Sequence, residues 1–192
     1  LHRLDKDTDG FMIIAKTEQG LAYFKELFQQ KSWASTIAEK EAVPLKKFYR
    51  AVCDLSDEGI RFLDSIKEYP YYLEGFIHPK VPYPGEPKWG ITKILEIRDQ
   101  KIEDRDKSLE IRDRKQGIWN TLELQLEILT GRTHQIRYQL TEVGLPIVGD
   151  YLYNARCKMQ DVKDLNEPMQ LTAWKLEFLD PSGEMISISL DP

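Results

Sequence analysis

Residues 121–129 read TLELQLEIL, and this run restricts the fold more than any other stretch of the chain. Apolar and polar residues alternate through Leu122, Leu124, Leu126 and Ile128. On a strand that pattern makes one greasy face and one wet face. A strand over 119–129 is therefore half-buried, which suits an antiparallel sheet packed on one side. Thr130-Gly131-Arg132-Thr133 follows at once. A helix over about 134–143 comes next, with Thr133 as its cap and Gly144 at the C′ position.

The other elements fit that frame. FMIIA at 11–15, after the Asp9-Gly10 turn signal, reads as a short buried strand. Leu21, Phe24, Leu27 and Phe28 share one helical face, so a helix is expected over about 18–30, capped by Thr17. Residues 31–45 read as a polar surface loop. Residues 47–53 alternate and are β-rich. The stretch 69–90 is interrupted by five prolines and reads as an extended loop, with at most a short strand over 74–77. Residues 91–97 form another strand, and 171–179 and 185–190 close the sheet around Pro181-Ser182-Gly183. The class is α+β, a mainly antiparallel mixed sheet with a few flanking helices.

At 192 residues the chain is expected to be one domain over 1–192. Residues 97–115, IRDQKIEDRDKSLEIRDRK, read as a charged, solvated hairpin insert. Cys53 and Cys157 stand alone and there are three histidines, so neither a zinc site nor a disulfide framework is expected. A reducing, cytoplasmic setting follows. No run reaches the roughly 18 apolar residues of a membrane span. The net charge of −5 taken alone argues against a nucleic-acid binder, although local basic patches decide that matter.

Three constellations carry chemistry. His2-Arg3-Leu4-Asp5, running into Thr8-Asp9-Gly10, sets an aspartate beside an arginine in a turn; it suits either a positioned nucleophile or a structural turn carboxylate. Tyr49, in KKFYRA, offers a stacking face and a phenol, or simply a core tyrosine. Gly131-Arg132-Thr133-His134-Gln135-Ile136-Arg137 packs donors and two fixed guanidinium groups at a helix start, which favours anions. His134 has no histidine or cysteine at metal-ligand spacing.

Taken together, HRLDKDTDG, KKFYRA, LTGRTHQIRYQL, GLPIVGDYLY and LTAWKLEF resemble the RluA-type pseudouridine synthase family in order and spacing over nearly the whole chain. The resemblance implies a pseudouridine-synthase-like catalytic domain with an RNA-binding cleft. It implies isomerisation of uridines in ribosomal or transfer RNA to pseudouridine, with no metal and no cofactor. Asp5 matches the family's essential aspartate, Tyr49 its active-site tyrosine and Arg137 the basic residue paired with the aspartate. Arg3, Arg132, His134 and Gln135 match positions that line or support the RNA cleft, and Leu171 falls near the family's apolar contact to the base. Lys47 and Arg132, with the additional Lys6, Lys16, Lys46 and Arg50, are candidates for phosphate contacts on its rim. A nucleophilic carboxylate must stay ionised; burial opposes this and a fixed guanidinium favours it. A base extracted from RNA needs a new stacking partner, worth roughly 1–3 kcal/mol.

This chain departs from the family pattern at Asp9, where a serine is usual, and at Thr172, where a histidine is usual. In the family a strand-rich segment precedes HRLD. The chain is thus expected to be an N-terminally truncated fragment with an open sheet edge and poor stability. RNA is the expected partner, no membrane is involved, and a monomer is the default. Competing expectations are a non-catalytic RNA-binding module and, more remotely, a hydrolase using Asp5 with His134.

Overall fold

The computed structural model describes residues 1–80, 86–99, 121–155 and 168–190. In chain order these form β1 (Asp9–Gly10), α1 (Glu18–Trp33), α2 (Ile37–Ala42), β2 (Leu45–Asp54), α3 (Asp57–Ser65), β3 (Tyr71–Ile77), β4 (Lys88–Asp99), β5 (Thr121–Ile128), α4 (Gln135–Glu142), β6 (Leu171–Leu179) and β7 (Met185–Ser189). The strands make one seven-stranded sheet in the order β1-β6-β2-β5-β4-β3, with β7 also on β6. Only β1 runs parallel to its neighbour; the other pairings are antiparallel. The α+β class and the mainly antiparallel sheet expected from the sequence are present.

The alternation in β5 sorts residues as anticipated. Leu122, Leu124 and Leu126 join Tyr49, Ala51 and Cys53 of β2 and Ile136 and Leu140 of α4 in the main core. Glu123, Gln125 and Glu127 face the other way. Glu127 is nevertheless buried and meets Lys31 and Lys93 at 3.9 and 3.8 Å. Helix α4 lies on the core face, and its two glutamines are spent there. Gln139 accepts from the Thr92 hydroxyl and donates to the carbonyls of Leu73 and Gly90. Gly144 follows the helix at φ +77°, a left-handed conformation that suits the C′ position.

Several local expectations are corrected. Residues 11–15 are not a buried strand; pairing ends at Gly10, and Met12 and Ile14 are 49% and 73% exposed. Gly10 has φ +113°, and a Cβ there would lie 2.2 Å from the Ala173 carbonyl oxygen, so the chain crosses β6 closely and then peels away. The 31–45 loop is in fact the last turn of α1 followed by α2. Thr36 caps α2, and with Glu39 it forms a reciprocal capping box. Helix α3, capped by Ser56, was not anticipated at all. β3 is longer than expected because its prolines lie outside the paired segment. Thr133 does not cap α4; His134 takes that place at φ 55° without a side-chain cap bond. Within the expected charged insert, residues 100–115 lie outside the described residues, as do Pro82, Pro84 and Cys157.

Candidate active site

A cavity of about 290 Å³ opens where the N-terminal turn, the end of α1, β2 and the β5–α4 connection meet. Asp5, Tyr49, Arg137, Arg3, Lys47, Arg132, His134, Gln135 and Leu171 all line it. Of the additional rim candidates, Lys6, Lys16, Lys46 and Arg50 do not. Arg50 instead lies over the Trp174 ring, 4.1 Å from its centroid, and 4.0 Å from Glu123.

Asp5 is held in a turn in which the Thr8 N–H donates to its carbonyl at 3.0 Å. Its Oδ2 lies 3.6 Å from Arg137 Nη1 and 4.0 Å from His134 Nε2. Arg137 makes its closer pairing elsewhere. Its Nε and Nη2 both donate to Asp150 at 2.8 Å, a fork-to-fork contact. Asp150 is only 1% exposed, and its Oδ1 also accepts from the N–H groups of Leu152 and Tyr153. Burial works against the Arg137 charge, but Asp150 and then Asp5 outweigh it and hold the guanidinium protonated. Arg137 therefore arrives at Asp5 already oriented, with one edge of its fork left over.

Tyr153 extends this scaffold. Its ring lies under Arg137, with the guanidinium 5.1 Å from the centroid. Its hydroxyl accepts the Lys80 N–H at 2.7 Å and sits 3.0 Å from His134 Nδ1. This contact fixes the ring so that Nε2 is the nitrogen facing Asp5. Burial, then the Arg137 charge, keeps the His134 pKa below the usual histidine value. Asp150 and Tyr153 were assigned no role from the sequence. The signal was present in GLPIVGDYLY, but what the aspartate and tyrosine hold is visible only in three dimensions.

Tyr49 is 7% exposed, and burial together with the nearby Asp5 charge pushes its phenol up to about 12. Leu4, Ile128 and Leu171 give the cavity an apolar lining beside it. Gln135 is committed inside the protein. Its amide donates to the Ile91 carbonyl and Thr92 hydroxyl and accepts from the Thr130 hydroxyl and the Arg132 N–H. It ties the Gly131 turn to β4 and has no free valence for a ligand. Arg132 is steered by its own bond to the Trp89 carbonyl at 2.9 Å. Among the described residues no three potential metal ligands cluster, and no helix is long and apolar enough to cross a membrane.

Residues 1–142 match the RNA pseudouridylate synthase family. The chain is 31% identical over 191 residues to an uncharacterized RNA pseudouridine synthase of Synechocystis, covering 97% of this chain and 47% of that protein. It is 32% identical over 197 residues to the ribosomal large subunit pseudouridine synthase D of Neisseria meningitidis, covering 97% of this chain and 43% of that one. The chain thus spans about half the length of these relatives. Its fold superposes on human RNA pseudouridylate synthase domain containing 1 with a TM-score of 0.64 at 18% identity, over 100% of this chain and 67% of the other.

Proposed function

The chain belongs to the RNA pseudouridylate synthase family, and from that premise we propose that it converts uridine in RNA to pseudouridine, with Asp5 as nucleophile. The observation that carries the reading is the convergence of Asp5, Tyr49 and an Arg137 clamped by Asp150 on one cavity. Asp5 attacks ribose C1′ and the bond from C1′ to N1 of uracil breaks. The uracil turns within the closed pocket, C5 bonds to C1′, and Asp5 is released. The C5 proton is lost and N1 gains one, so the product is an isomer and no cofactor is consumed.

Each side chain has a task that its geometry suits. Arg137 offers its free edge to the Asp5 carboxylate and holds it in place for the attack. Tyr49 supplies a stacking face. A phenol that keeps its proton to about 12 is a donor at neutral pH and not a base. Leu171 and Ile128 wall off the detached uracil. Arg3, Arg132 and Lys47 meet the RNA backbone, while Gln135 and His134 hold the walls. We place this reaction on ribosomal or transfer RNA, in the cytoplasm, by a monomer that needs no metal.

The test is incubation of the chain with total RNA from cells lacking pseudouridine synthases, followed by mapping of carbodiimide adducts as reverse-transcription stops. Stops are expected with the wild type and absent with Asp5→Ala. Stops that persist with Asp5→Ala would remove the assignment of the nucleophile. No stops from a folded wild-type chain would remove the activity.

A further inference from the structure

The cavity carries a second group of charges that the reaction at Asp5 does not use. Lys31 on α1 and Lys47 on β2 both line it, and they are only 6% and 9% exposed. Lys31 donates to the Leu45 carbonyl at 2.6 Å and lies 3.9 Å from Glu127. The Lys47 ammonium has no carboxylate or carbonyl partner among the described residues. It sits over the Phe28 ring, 5.3 Å from the centroid, and beside Gly131, where a Cβ would lie 3.6 Å from Nζ.

A third donor stands on the same wall. The His2 ring packs on Phe28 at 5.3 Å between centroids, and its Nε2 accepts the Ile13 N–H at 2.8 Å. An Nε2 that accepts leaves the proton of the neutral ring on Nδ1. That Nδ1 is buried with no partner among the described residues. Burial, then the Lys47 charge, holds the His2 pKa down at about 4, so the ring is neutral at pH 7.

Buried donors and buried ammonium groups are costly unless something accepts from them. Here two ammoniums and one N–H share a cavity wall, and among the described residues the one carboxylate within 4 Å of either ammonium is Glu127, 3.9 Å from Lys31. A tetrahedral anion with several acceptor oxygens completes that arrangement. Lys47 and Tyr49 lie two residues apart on one face of β2, about 7 Å along the strand. That is the scale of one nucleotide, from the ribose to its neighbouring phosphate.

We propose that Lys31, Lys47 and the His2 Nδ1–H form a subsite for an RNA backbone phosphodiester adjacent to the uridine held at Asp5 and Tyr49. This rests on the reaction proposed above, and it assigns the buried lysines to one bound phosphate instead of to diffuse attraction along the rim.

The experiment is calorimetric titration of the whole chain with uridine, 3′-UMP and 5′-UMP, with inorganic phosphate as competitor. The proteins are wild type, Lys31→Met, Lys47→Met and Lys47→Arg, each checked for a native circular-dichroism spectrum. One of the two monophosphates is expected to bind wild type at least tenfold more tightly than uridine, and inorganic phosphate should compete with it. The preference should fall below threefold in Lys47→Met, fall in Lys31→Met, and return in Lys47→Arg. Equal binding of uridine and both monophosphates by wild type would overturn the subsite, as would a preference that survives both methionine variants. Pseudouridine mapping on total RNA, run in parallel, separates the two ideas. Isomerisation without phosphate preference removes the subsite and leaves the reaction; preference without isomerisation does the reverse.

Discussion

The two ends of the cavity handle charge in opposite ways. At the Asp5 end the Arg137 guanidinium is answered by the fork of Asp150, and that aspartate is answered in turn by two backbone N–H groups. At the Lys47 end two buried ammonium groups stand together: Lys31 reaches the Leu45 carbonyl and, at 3.9 Å, Glu127, while Lys47 has no acceptor among the described residues. The first arrangement fixes geometry before anything binds. The second stays incomplete and gains from a ligand. One cavity thus holds a preorganised reacting end and an unsaturated binding end, which is the division expected where a reaction must be aimed and a backbone gripped.

The contrast can be broken most severely at Asp150. Asp150→Ala would take from the buried guanidinium its two-pronged partner and leave it, among the described residues, only the Asp5 carboxylate, at 3.6 Å. Losing one partner of such a pair costs about 3–5 kcal/mol, and for a chain of this size the melting temperature should fall by roughly 10 °C. A thermal melt within a degree or two of wild type would mean that the Asp5 end is not built on this pair.

Substitution at the opposite end should act with the opposite sign. Lys47→Met keeps the apolar stem and removes a poorly compensated buried charge. At pH 7 it should raise stability by about 1 kcal/mol in a denaturant titration while weakening binding of nucleoside monophosphates. A clear loss of stability would show that Lys47 has a structural partner after all.

The same lysines give the contrast a pH signature. Burial, acting first, lowers both Lys31 and Lys47 from 10.5 to about 8 in the folded chain. Lys47 is further lowered by Lys31. For Lys31, Glu127 and Glu41 act against the shift, while Lys46 and Lys40 reinforce it. Between about pH 8 and 10.5 the unfolded chain holds more protons at these sites than the folded one, so stability rises with pH across that window. Below pH 8 both states are protonated and the penalty is constant. Melting temperature should therefore climb from pH 8 to 9, below the range in which the raised Cys53 thiol and Tyr49 phenol pull stability back down, and the climb should be reduced in Lys47→Met. A flat profile in wild type would contradict the burial of these charges.

The smallest effect is expected at Lys16, exposed and outside the cavity. Lys16→Ala should change stability by less than about 0.5 kcal/mol and leave phosphate preference intact. A change as large as that of Lys47→Met would mean that the two lysines act through general charge.

Much of this molecule can be read from the chain. The alternation in 121–129 forces a half-buried strand, Gly144 stops the helix after it, and the three constellations around Asp5, Tyr49 and Arg137 are dense enough to single out the cavity residues. Where the reading failed, the local signal was ambiguous. FMIIA is apolar enough for a buried strand, but Gly10 and the close pass over Ala173 divert it. Thr36 lies in a polar stretch that reads as a loop, yet it caps α2, and Glu39 returns to accept from the Ser35 and Thr36 N–H groups.

The sequence by itself determined the strand and helix periods, the class of fold and which chemical groups were on hand. Only the tertiary structure decided how those groups pair. Arg137 belongs first to Asp150 and only by its remaining edge to Asp5; Gln135 is used up on β4; Lys47 is left without an acceptor among the described residues. Periodicity is a local property that each segment carries with it. Hydrogen-bond partnership is a competition among groups brought together from distant parts of the chain, and it is resolved only when the sheet has closed around them.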